Sequence, residues 1–225
     1  MTNHSFYDSA SVAAGFLREE VTAGERRLVR TLAARKGRLL DVGCGSGRLH
    51  DHLCGAHELV GVDYASAQLS LYRAKHCRAR LVLADASRLP FRDDVFDSVL
   101  LGYHMVESIL PLEARRIALT ESARVLRPGG RLCLTRHVRR HYRRRHQVAD
   151  FITGRVDNFG DLRGRGVNRA GAVPLSGFTM HLLSENEMHT LALAAHVTLD
   201  ATWDFDTGGA RQWSSRAVVE TYRKQ

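Results

Sequence analysis

"LLDVGCGSGRL" (residues 39–49) is the stretch on which the fold turns. An apolar run of strand length passes into glycines at 43, 45 and 47 and then into helix-like sequence. Glycine lacks a Cβ, so the backbone here can approach a ligand closely, and the first amides of the following helix face it. Two acids extend the pattern. Asp63 ends "ELVGVD" (58–63), twenty residues after Gly43, where a carboxylate accepts both hydroxyls of a ribose. Asp85 ends "ARLVLAD" (79–85) and is followed by Ala86; an acid there accepts from an adenine amino group while the next backbone amide donates to the ring. A nicotinamide dinucleotide fits poorly, because the GxGxxG fingerprint needs glycine at 48 and the residue is Arg48.

Outward from this loop, short apolar runs alternate with longer mixed segments. "RLLDVG" (38–43), 58–63, 79–85, "DSVLLGY" (97–103) and "RLCLTR" (131–136) read as strands separated by helices, the rhythm of βαβ units and a parallel sheet. Ligands of such sheets sit at the carboxyl ends of the strands. Residues 9–35 read as helical, and Pro111 opens a helix through Leu126 that "RPGG" (127–130) ends. Near the C-terminus "SENE" (184–187) is a capping box opening a helix to about His196. Residues 197–205 then alternate apolar and polar as a strand does, and a glycine-containing loop leads back to a last strand near "RAVVETY", an antiparallel hairpin. No repeat is visible, and the chain is expected to be a single domain over 1–225.

The 225 residues carry a formal net charge of +9, which favours an anionic partner without naming one. Residues 136–176 hold ten arginines against three acids, so this segment accounts for +7 of it. Cys44, Cys54, Cys77 and Cys133 form no CxxC and no zinc-like set with histidine, so reduced thiols and no metal site are expected. With no signal-like N-terminus and no apolar run of about 18 residues, a soluble cytoplasmic protein is expected.

"LLDVGCGSGRL", "VGVDYA", "LADASRLPFRDDVFDSVL" and "RVLRPGGRL" together, over about 100 residues, resemble the class I S-adenosylmethionine-dependent methyltransferases. The resemblance implies an α/β, Rossmann-like, seven-stranded and mostly parallel sheet with helices on both faces and the last strand antiparallel. It also implies S-adenosylmethionine as cofactor and S-adenosylhomocysteine as product. Carried over by position, Asp41, Gly43, Cys44 and Gly45 would line the methionine and ribose side, and Asp63 would bind the ribose. Tyr64 would pack beside the adenine, Asp85 and Ala86 would read its edge, and a carbonyl of Gly102 or Tyr103 would meet the methionine amino group. "FYDSA" resembles the family's lead-in segment, which makes Tyr7 a cover over the cofactor.

Methyl transfer from a sulfonium is an in-line displacement, so alignment supplies much of the acceleration. Where the acceptor must lose a proton, a base adds about 10²- to 10⁴-fold. His104, following the fourth strand, is the first candidate base; Glu107 would orient or replace it, and His181 is the second. "GYHM" stands where nucleobase amino methyltransferases carry an "NPPY"-like tetrapeptide.

Between strand five and the C-terminal helix, residues 137–183 are expected to form a basic helix, with Val138, Tyr142, His146, Ala149 and Ile152 as its apolar stripe, and then a glycine-rich lid. The leading reading is a methyltransferase for a small-molecule acceptor, anionic acceptors included. The alternatives are an RNA (tRNA) methyltransferase whose arginines contact phosphates, a non-catalytic nucleoside-binding regulatory module, and a basic helix resting on anionic membrane.

Overall fold

The computed structural model describes residues 3–137, 148–149, 151–154, 161–164, 175, 177–205 and 217–225. Most of the basic helix and glycine-rich lid expected over 137–183 lies outside them.

Five parallel strands form the frame: β1 (Gly37–Val42), β2 (His57–Asp63), β3 (Arg80–Leu83), β4 (Phe96–Leu101) and β5 (Leu126–His137). A second sheet of two short strands, β6 (Asp161–Arg163) and β7 (Thr179–His181), is antiparallel. The last two strands, β8 (Val197–Phe205) and β9 (Ala217–Lys224), pair as a hairpin, and β9 lies antiparallel to β5. The large sheet has the order β3-β2-β1-β4-β5-β9-β8, so the order reverses between β1 and β4. At such a switch point the crossovers leave on opposite faces and open a crevice at the strand ends.

Helices cover both faces. In chain order they are α1 (Asn3–Tyr7), α2 (Ala10–Leu17), α3 (Ala23–Ala33), α4 (His50–Leu53), α5 (Ser66–Lys75), α6 (Met105–Ser108), α7 (Leu112–Val125) and α8 (Glu185–Ala194). Alternation along the strands supplies two cores. Leu40, Val42, Val99 and Leu132 pack with Leu119 of α7 and Leu191 of α8, while Leu39, Leu59, Leu100 and Cys133 pack with Leu28 and Leu32 of α3. Burial on both faces explains why the strands read as continuous apolar runs, each fully buried leucine being worth about 1.5–3 kcal/mol.

Three boundaries differ from the sequence reading. The single helix over 9–35 is two helices, because Thr22 and Glu25 form a capping box that restarts the chain: the Glu25 amide donates to the Thr22 hydroxyl at 3.1 Å, and the Thr22 amide to the Glu25 carboxylate at 2.8 Å. Strand five begins at Leu126, before "RPGG", and takes up the irregularity as a register shift against β4. β3 stops at Leu83, which leaves Asp85 in the loop beyond it.

The capping box expected at "SENE" is present, with the Ser184 hydroxyl accepting from Glu187 and the Glu187 carboxylate from Ser184. The four cysteines are free thiols, Cys44 and Cys133 buried and the others exposed. Among the described residues no helix is long and apolar enough to cross a membrane.

Candidate active site

A cavity of about 690 Å³ opens at the carboxyl ends of β1, β2 and β4. The glycine loop forms its floor. The amides of Gly43 and Cys44 both donate to the Val62 carbonyl of β2, at 2.8 and 3.0 Å, which bends the chain across the neighbouring strand end. Gly45 has φ +53°, and a Cβ there would meet nothing nearer than Gln68 Oε1 at 3.6 Å, so its missing side chain leaves room toward the cavity. Gly47, at φ +79°, serves packing instead: a Cβ there would lie 2.4 Å from the Tyr72 ring.

Asp63 stands over this loop. One carboxylate oxygen accepts from the Gly45 amide at 2.8 Å and the other from the Ala65 amide at 2.9 Å. A carboxylate offers about four lone-pair sites, so each oxygen keeps capacity for a ligand hydroxyl on the cavity side. Burial raises the Asp63 pKa against those amide bonds. Burial and the neighbouring Asp63 charge push Asp41 up to about 7, with Arg48 opposing. Asp85 and Ala86 also line the cavity, and Asp85 Oδ1 accepts from the Ser87 amide at 2.7 Å.

The roof comes from the N-terminus. Asp8 accepts from the Ser66 hydroxyl at 3.0 Å and the Ala67 amide at 2.9 Å, which ties the α1–α2 junction to the start of α5. Asn3 donates to the carbonyls of Ser108 and Thr179, tying α1 to α6 and β7. Tyr7 is thereby held inside the cavity, its hydroxyl 3.3 Å from Ser108 Oγ and its pKa pushed up to about 12 by burial. The Tyr64 ring lies 4.9 Å from that of His4, and burial raises its hydroxyl too.

Every cofactor-side residue expected from the sequence borders this one cavity: Tyr7, Asp41, Gly43, Cys44, Gly45, Asp63, Tyr64, Asp85, Ala86, Gly102 and Tyr103. Arg48 also lines it, a residue the sequence reading used only to exclude a dinucleotide. Its guanidinium pairs with Glu25 and sits 4.8 Å above the Tyr103 ring, whose hydroxyl meets Glu19. Three acids, a retained cation and an open glycine turn fit the diol, the amino-bearing ring and the zwitterionic tail of S-adenosylmethionine.

The three candidate bases lie behind the wall rather than on it. His104 stacks on His137 with ring centroids 3.9 Å apart, and its Nδ1 is 3.7 Å from Glu107. Glu107 is fully buried and binds the His137 amide at 3.1 Å and His137 Nδ1 at 2.7 Å. His181 pairs with Asp161 and Glu187. None of the three is among the lining residues, whereas Asp161, Arg163 and Thr179 of the small sheet are. Those three fell in a stretch without usable periodicity, and nothing in the sequence singled them out.

Fold and cavity together are those of an α/β protein with a ligand crevice at the carboxyl ends of its parallel strands. Residues 40–134 match the family described as "Methyltransferase domain". The O-methyltransferase rstn1 of Aspergillus nomiae is 35% identical over 135 residues, 56% of this chain and 56% of that protein. The 27-O-demethylrifamycin SV methyltransferase of Amycolatopsis mediterranei is 34% identical over 141 residues, 59% and 49% of the two chains. The chain thus spans about half the length of these curated relatives. Among solved structures, an S-adenosylmethionine-dependent methyltransferase of Methanosarcina mazei superposes with a TM-score of 0.74 at 20% identity, over 92% of this chain and 99% of that one. Residues 40–134 thus carry the methyltransferase-domain pattern, and the fold is that of the S-adenosylmethionine-dependent methyltransferases.

Proposed function

We propose that the chain is a single-domain methyltransferase that moves a methyl group from S-adenosylmethionine to a hydroxyl of a small-molecule acceptor. The observation that carries this reading is the continuity of the cavity. Besides the glycine loop, Asp63 and Asp85, the same cavity is lined by Ile109, Leu110, Pro111 and Ala114, with Ser108 and Asp161 as polar points. An apolar wall with a few placed polar groups is the usual make-up of a small-molecule site. Relatives named as O-methyltransferases support oxygen as the accepting atom.

When bound, S-adenosylmethionine supplies an activated methyl on a sulfonium. The protein's work is placement: Asp63 would take the ribose hydroxyls, Asp85 and Ala86 the adenine edge, and Tyr7 would close the roof over them. Arg48, on the cavity lining, would match the cofactor's anionic end. Holding the acceptor oxygen in line and excluding water then supplies the acceleration that orientation gives.

The reading is tested by incubating the protein with methyl-labelled S-adenosylmethionine and a panel of phenols, enols and sugar hydroxyl compounds. Transfer of label to at least one member at saturable rates is expected. Saturable S-adenosylmethionine binding with no transfer to any acceptor would favour a non-catalytic nucleoside-binding module and overturn the proposal.

A further inference from the structure

At the acceptor end the small sheet carries a row of three ionisable side chains. Asp161 of β6 and His181 of β7 are register partners across the two strands. His181 Nδ1 lies 2.5 Å from Asp161 Oδ1, and His181 Nε2 lies 3.0 Å from Glu187 Oε1 in the first turn of α8. The first two residues are buried and Glu187 is partly exposed. Of the three, Asp161 alone borders the cavity.

Glu187 is firmly ionised: burial pushes it up, but hydrogen bonds from the Ser184 hydroxyl and amide and from His181 outweigh that and bring it to about 2. An ionised carboxylate only accepts, so His181 donates to it, and the ring is thereby locked in one orientation against Asp161. Other charges face the row. Arg163 stands two residues along the same strand on the cavity wall, and Arg115 of α7 feels Glu107 of α6, Asp161 and Glu187. The remaining carboxylates of the cavity, Asp41, Asp63 and Asp85, belong to the glycine-loop end. Among the described residues, Asp161 is the one carboxylate lining the acceptor end.

We propose that Asp161 is the general base of the methyl transfer and that His181, braced by Glu187, is its positioning residue. This rests on the methyl-transfer reading above. In the step, the acceptor O–H bond breaks and its proton passes to the Asp161 carboxylate as the new O–CH₃ bond forms. The C–S bond breaks with its electron pair left on sulfur, giving the methyl ether, S-adenosylhomocysteine and a protonated Asp161. That proton returns to solvent when product leaves.

The test compares the parent with Asp161→Asn, Asp161→Glu and His181→Gln on two acceptors drawn from those the parent methylates, one un-ionised at the assay pH and one already ionised. On the un-ionised acceptor Asp161→Asn should lower kcat by about 10²- to 10⁴-fold, the scale of general-base catalysis. On the ionised acceptor the loss should shrink to within a few-fold, because no proton remains to be taken. Asp161→Glu should recover part of the rate, His181→Gln should lower kcat with little change in KM, and S-adenosylhomocysteine affinity should be unchanged in all three. Equal losses on both acceptors, or kcat within threefold of the parent in Asp161→Asn, would overturn the assignment while leaving the methyl-transfer reading intact. A parent that binds S-adenosylhomocysteine yet methylates nothing would overturn that reading and this base with it.

Discussion

Arg136 of β5 and Glu220 of β9 form a two-point ion pair inside the sheet, with Nε to Oε2 at 3.0 Å and Nη2 to Oε1 at 2.6 Å. Both side chains are about 5% exposed, and the Tyr222 hydroxyl donates to the same carboxylate at 2.7 Å. Arg136 opens the arginine-rich segment, yet it is spent on the fold and unavailable to a phosphate.

Removing one member of such a pair strands a buried charge. Arg136→Met is therefore expected to cost about 3–5 kcal/mol of stability. The double replacement with Glu220→Leu should recover most of that loss, because a well-packed apolar pair substitutes for a buried ion pair at little net cost. Urea denaturation of the two variants and the parent measures both terms; a double variant as unstable as the single one would contradict this account.

Gly47 and Gly129 separate sterics from backbone strain. Both have positive φ, +79° and +70°, but a Cβ on Gly47 would collide with Tyr72 whereas one on Gly129 would meet nothing within 4 Å. Gly129→Ala should cost about 1 kcal/mol, the left-handed penalty alone. Gly47→Ala should add overpacking of about 1–3 kcal/mol to it. Chemical denaturation of the pair decides, and equal losses would remove the packing role assigned to Gly47.

The acid at the foot of the glycine loop makes stability depend on pH. Asp41 has a folded value of about 7 against an ordinary 3.8, so its favourable contribution is full below about pH 4 and is lost as pH rises to and through 7. Asp41→Asn keeps the uncharged form at every pH. Its stability relative to the parent should rise by about 2–3 kcal/mol between pH 5 and pH 8, because the parent loses stability from pH 5 up to about pH 7. Urea melts at the two pH values measure the gap, and a gap that stays constant would contradict the burial argument.

The sheet and the nucleoside end of the cavity were readable because local pattern and chemistry coincide there. Alternating apolar runs end in Asp63 and near Asp85, and the glycines stand where backbone must turn. The acceptor end was not readable for a physical reason: Asp161, Arg163 and Thr179 are brought to the cavity by a two-stranded sheet of three residues per strand, too short to show a period. His181 was picked for its position ahead of the C-terminal helix, but its ring faces Asp161 and Glu187 rather than the cavity. The break between α2 and α3 was legible in Thr22 and Glu25, a capping box of the same kind that marked α8.

Every functional role given to this chain rests on the cavity over Asp63 holding an adenosyl cofactor. Calorimetric titration of S-adenosylhomocysteine into the parent and into Asp63→Ala tests it most directly. Saturable one-to-one binding is expected for the parent. For Asp63→Ala, binding should be about 10- to 100-fold weaker with the circular dichroism spectrum unchanged, the scale of hydrogen bonds to a charged group. No saturable heat in the parent, or equal affinity in the two proteins, would contradict it.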